Sequence, residues 1–321
     1  LIANGSIAIW SEDNQNLYVV AGAANIAISA TAAGSAAAGV AVVKASNKVQ
    51  TLVGAKAILT AYGNGNGISF YTGELNGSEG TRKRSRVMTN QNGILIGAFN
   101  TNNLMAITAS GSGSTGTAGA VASTTVVSDT LVRAKVDTGA KINQNSREHV
   151  TPSSNVKVIA MDSTKVDTAA GGAAVGIAGA TGTIVVTHLK KTVEAILNGT
   201  VYAPGGVDVL AISDNNVFLL TTSLAGGLAG GAGSASVLYT ENTVTSQLGG
   251  TIEADKAAVN VKAINRQYIT SGAASVSGSA VAVGGAGASI IFKSHTKAEV
   301  LDDTSIQAGS LNVNAQSKET I

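Results

Sequence analysis

Few residues in this 321-residue chain are spaced for chemistry, and each candidate has a plainer reading beside it. Glu12-Asp13 and Asp302-Asp303 are its adjacent acidic pairs. Paired carboxylates suit general acid and base work on a glycosidic bond, or oxygen ligation of calcium. The positions aligned with Asp302-Asp303 elsewhere are Gly249-Gly250 and Asn198-Gly199, residues that tolerate left-handed backbone, so a solvated corner is expected there. His149, His188 and His295 never approach metal-ligand spacing. His188 and His295 each follow an apolar strand and share one face at most, and zinc would need further ligands. GSGSTG at residues 111–116 matches the dinucleotide-binding glycine pattern, but that motif needs a strand before it and a helix after it. A second Gly/Ala/Ser strand follows instead. There is no Gly-Lys pair for a phosphate-binding loop, and no cofactor or metal is expected.

Binding chemistry has one concentrated source. TRKRSR at residues 81–86 places Arg82, Lys83, Arg84 and Arg86 together, a charge run that attracts phosphate, sulfate or carboxylate when it is more than a solvated or protease-sensitive loop. Phe70, Tyr71 and Met88 add apolar surface near it. A second segment, INQNSREHVT at residues 142–151, carries Arg147 and His149. The candidate binding set is therefore Phe70, Tyr71, Arg82, Lys83, Arg84, Arg86, Arg147 and His149, with no catalytic residue among them.

Both segments interrupt a repeat. An apolar residue, any residue, a second apolar residue, any residue and a small one recur as LNVNA from Leu311, VNVKA from Val259, VDVLA from Val207, VKVIA from Val156, ILIGA from Ile94 and IAIWS from Ile7. Successive copies are 52, 52, 51, 62 and 87 residues apart. Against a unit of about 52, the last two intervals carry about 10 and about 35 extra residues. Both extras fall at one place, between the block equivalent to SIQA at Ser305–Ala308 and the block equivalent to SLNVN from Ser310, at about 63–92 and 142–151. Insertions at equivalent positions of a stacked array project from one side. Asn/Asp clusters such as Asn100-Thr101-Asn102-Asn103 and Asp214-Asn215-Asn216 are expected to form further corners.

The elements that hold these segments are strands. Apolar and polar residues alternate in SLNVN and AVNVK, the period-2 signature of a half-buried strand. Aromatics are only 3% and charged residues 12%, against roughly 25% charged in ordinary soluble domains. Small residues fill a narrow interior that Phe or Trp would overpack, and low charge suits stacked rows in which like charges repel. A hydrophobic fraction of 44% with net charge +2 argues against disorder. Uncharged stretches such as residues 267–292 are too rich in Ser, Thr and Gly to read as membrane helices. An all-β, right-handed parallel β-helix is expected, a single solenoid segment over residues 1–321, with two coils per repeat preferred over one broad or three tight ones. Absence of Met at position 1 and of a leader suggests a fragment of a longer array, and absence of Cys removes any disulfide framework.

The alternation of GGAGAS-type strands with VNVKA and LNVNA motifs near a 52-residue period resembles the repeat arrays of large filamentous surface adhesins of Gram-negative bacteria. It is most similar to the leukotoxin-type and filamentous-haemagglutinin-like arrays of fusobacteria and their relatives, over essentially the whole chain. That resemblance implies a secreted or surface passenger, exported by a type V or two-partner route through an outer-membrane partner, acting in attachment or host-cell damage. No functional residue of the family carries across, and its secretion domain is not visible. The expected function is thus a non-enzymatic stalk displaying binding loops to a host-cell glycan or protein, with no specific nucleic-acid partner. Two alternatives stand beside it. One is a carbohydrate-active β-helix enzyme, which would need clustered acids; the other is an extracellular fibre subunit self-associating through its solenoid ends.

Overall fold

The computed structural model describes residues 1–28, 33–76 and 85–321. It is an all-β, parallel, solenoid-like fold. Each repeat makes two long passes and one short one. The third repeat has Ser154–Val175, Ala178–Leu197 and Thr200–Tyr202 in these roles. In the next two repeats the long passes run on as continuous strands, Val207–Leu248 and Ala258–Val300.

The register decides how the chain winds. Val207 lies beside Val156 on one side and Val259 on the other, and Ala229 lies between Ala178 and Val281. A residue's neighbour is therefore its counterpart one repeat away. The expected two coils per repeat give way to one broad circuit. The physical reason lies in the Asn/Asp clusters: they are not corners but run through the middle of Ser85–Ser114 and Val207–Leu248. Asn100, Asn102 and Asn215 are buried there.

Those polar residues form a layer inside the wall. Stacked inward positions read Asp13, Asn100, Asp162, Ser213, Asn265 and Gln15, Asn102, Thr164, Asn215, Gln267 on the first pass. Facing them on the second pass are Asn47, Thr130, Lys191, Asn242 and Ser294. Buried polar groups need partners, and some of these bond one another, as in Asn242 to Asn265 at 3.2 Å and Gln267 to Ser294 at 3.1 Å, while amide oxygens such as Asn215 Oδ1 and Gln267 Oε1 have no protein partner among the described residues.

Apolar layers flank the polar one. On the wide side, Ile94, Ile96, Val156, Val158, Val132 and Val136 pack with Ile142, Val201 and Ile252 of the short passes. On the narrow side, Leu104, Val166 and Val217 meet Val126, Val185 and Leu189 across the core. Burial of each such side chain contributes roughly 1.5–3 kcal/mol. Toward the apex the interior shrinks to Ala118, Ala120 and Ala174, and hydroxyl pairs such as Thr108–Thr124 at 2.8 Å cross the gap. Small residues are required where the two walls converge. At the bend, Gly227 has φ +148° and a Cβ there would lie 1.9 Å from the Gly176 carbonyl oxygen. The aromatic-poor composition follows from this taper. Among the described residues, no helix is long and apolar enough to cross a membrane.

Candidate functional site

The site is built where the short pass ends and the next first pass begins. In later circuits this corner is tight: Gly206 N–H donates to the Ala203 carbonyl at 2.9 Å, and Ala257 N–H to the Ala254 carbonyl at 2.7 Å. In two earlier circuits the chain leaves the wall here. Because Ile58 registers with Lys141 and Lys141 with Thr200, both insertions depart from stacked positions. Both therefore leave the wall from the ends of stacked short passes.

The first insertion is a hairpin. Ile68–Asn76 pairs antiparallel with the start of Ser85–Ser114, matching Phe70 to Thr89 and Tyr71 to Met88. Its aromatic residues do not face solvent: Phe70 is 1% and Tyr71 3% exposed. They cover Leu95, Phe99, Ile159, Met161 and Ile212 on the outer face of the first-pass sheet, with the Lys157 ammonium 4.5 Å from the Phe70 ring centroid. Phe70 and Tyr71 are thus anchors of the hairpin, which corrects their assignment to a binding surface. A signal for this was present in ILIGAF and VKVIAM, where apolar residues occupy both parities of the strand and so predict burial on both faces. Arg82, Lys83 and Arg84 lie outside the described residues. Arg86 pairs through its backbone with Leu75, and its side chain also lies outside them.

The second insertion turns back over the short-pass face. Asn143, buried and at φ 54°, accepts a hydrogen bond from Ala61 N–H at 2.8 Å and donates to the Tyr202 carbonyl at 3.0 Å. Its side chain supplies the rung that the ladder loses when the chain departs. After Ser146, also left-handed, a single 3₁₀ turn spans Arg147–His149. Arg147 then reaches two circuits onward: Nη1 is 2.5 Å and Nη2 3.2 Å from the Glu253 carboxylate, and the guanidinium lies 5.0 Å from the Tyr202 ring centroid. Gln144 accepts from the same guanidinium. Arg147 is held by these partners as a clamp across circuits, so its charge is largely answered within the protein.

His149 stacks edge-on against Tyr62 at 5.5 Å. The insertions also touch: Thr151 N–H donates to the Tyr62 carbonyl at 2.8 Å, and Asn92 reaches Ser153 at 3.5 Å. Beyond them a shallow depression is lined by Val150, Pro152, Tyr202, Pro204, Asp255, Lys256 and Gln307. Tyr202 donates its hydroxyl to Asp255 at 3.3 Å. Partial desolvation and the neighbouring Asp255 carboxylate push the Tyr202 phenol above its ordinary pKa, so it stays a donor at neutral pH. Of the candidate set, Arg147 and His149 are brought onto one surface; Tyr62, Tyr202, Asp255 and Lys256 join them there and had not been singled out. Two aromatic residues, an imidazole, a carboxylate and an ammonium on one strip suit stacking and hydrogen bonding to a polar ligand.

Among the described residues no group of three His, Cys, Asp or Glu is placed to hold a metal ion. Asp303 has φ 59°, as a corner demands, in a turn between Val300 and Ser305. His188 stacks on Tyr239 at 4.9 Å rather than meeting His295. GSGSTG continues from Ser85–Ser114 into a turn and the strand Thr117–Val136, with no helix after it. Comparison with family models, curated proteins and solved structures finds no match to this chain.

Proposed function

We propose that the chain is a segment of a right-handed parallel β-helix belonging to a secreted or surface-exposed bacterial adhesin of the filamentous type. It acts without turnover as a rigid stalk that presents its corner insertions to a host-cell glycan or protein. The observation that supports this reading is the locking of two separate insertions into one strip on an otherwise regular wall. Loops on rigid scaffolds are where recognition concentrates. Export through an outer-membrane partner belongs to the same proposal and rests on resemblance of the repeats.

A glycan and host-protein array probed with the full chain tests it. Bound ligand should be lost in two variants, Arg82→Gln/Lys83→Gln/Arg84→Gln or Tyr202→Ala/His149→Ala, while the circular dichroism spectrum is retained. Undiminished binding by both would place recognition elsewhere on the chain. Consumption of an arrayed glycan would favour the enzyme instead, and concentration-dependent lengthening of particles without ligand binding would favour the fibre.

A further inference from the structure

The polar layer inside the wall contains one charge pair in unusual surroundings. Lys191, on the second pass, and Asp162, on the first, both have side chains with 0% exposure, and Lys191 Nζ is 3.5 Å from Asp162 Oδ2. Thr164 bridges the two: its hydroxyl accepts from Nζ at 2.7 Å and donates to Oδ2 at 3.0 Å. Ser128 and Thr130 accept from Nζ at 3.2 and 2.8 Å. On the other carboxylate oxygen, Asn100 Nδ2 donates to Oδ1 at 2.5 Å. A nucleophile, an acyl carbon, a proton relay and an oxyanion donor are therefore assembled in a buried layer.

We propose that Lys191 and Asp162 condense to an intramolecular isopeptide bond that ties the facing walls of one circuit together. Desolvation by burial holds the Lys191 ammonium below its usual pKa against the pull of Asp162. A proton moves from Nζ through Thr164 Oγ1 to Oδ2, leaving a neutral amine and a neutral carboxylic acid. The Nζ lone pair attacks Cγ; the C–N bond forms and negative charge collects on Oδ1, where the Asn100 N–H stabilises it. As the carbonyl re-forms, the Cγ–Oδ2 bond breaks, and a second Nζ proton passes through Thr164 to Oδ2, which departs as water. One amine and one acid become one amide and one water, with no oxidant, reductant or further reactant. Burial of both side chains shields the product from bulk water and so opposes hydrolysis.

Intact mass of the purified full chain, denatured, tests this without any variant. The expected mass is below the sequence mass by one water, and a tryptic digest should yield a branched peptide joining the segments that contain Asp162 and Lys191, uncut after Lys191. Lys191→Met should restore the full sequence mass. A wild-type mass equal to the sequence mass would overturn the proposal. So would a water loss mapped to a peptide lacking Lys191, or loss of one ammonia with a branch at Asn100, which would make the amide rather than the acid the acyl donor.

Discussion

Asn143 shows how much a single side chain can carry in a stacked wall. Both its hydrogen bonds go to backbone groups of other circuits, and its backbone is left-handed. Asn143→Ala strands two buried polar groups and adds left-handed strain, for an expected loss of about 3 kcal/mol. Urea unfolding monitored by circular dichroism would read this, and Gln144→Ala should move the midpoint far less. Neither role was legible in INQNSREHVT, where Asn143 looks like any other loop polar residue. Lys191 was hidden differently. In HLKKTVEAIL it shares parity with Leu189, Val193, Ala195 and Leu197, all of them buried, so strict alternation places it inside. A lysine at an inward position reads as an interruption of the strand until the facing polar layer is seen. The Asn/Asp clusters misled for the same reason, since turn preference and burial in a polar stack draw on the same short amides.

At the scale of elements, the hairpin of the first insertion is the clearest departure from expectation. Phe70 and Tyr71 look exposed when the insertion is taken as a projecting loop, yet they close an apolar patch on the outer wall. Phe70→Ala is expected to cost about 3–5 kcal/mol, as for other buried phenylalanines. The loss should be local, because neighbouring circuits keep their own cores. In hydrogen exchange, peptides covering Ile68–Asn76 should lose protection while those covering Val207–Leu248 keep it. Equal loss in both would mean that the hairpin is integral to the whole stack. The position of the insertions was readable because repeat spacing alone fixes where the extra residues fall. Their packing was not, because it depends on apolar residues of both parities in the strands beneath.

For the whole molecule, strand content and parallel stacking were legible from period and composition. The number of coils per repeat was not, since period alone does not say how often the chain turns within a unit. The structure supplies the missing fact through register, and the wall's cross-section follows from it: a wide apolar end closed by the short passes, a polar layer, a second apolar layer and a small-residue apex. One circuit per repeat is also what brings Arg147 within reach of Tyr202 and Glu253, residues remote in sequence. Outward ladders report the same stacking, as in Lys157, Asp208, Asn260 and Asn312, where Asn260 donates to Asp208 at 2.8 Å and Asn312 to Asn260 at 3.1 Å.

Cysteine pairing measures this winding directly, and the chain has no native Cys to confuse it. Asp208 and Asn260 are registered neighbours, at a strand spacing of roughly 4.8 Å that a disulfide can bridge. Asp208→Cys/Asn260→Cys should therefore oxidise to an intramolecular disulfide with no free thiol. Asp208→Cys/Ala235→Cys, about half a repeat apart, pairs positions that would be neighbours only with two coils per unit, and should keep both thiols free. Oxidation of the second pair with free thiols in the first would contradict one circuit per repeat.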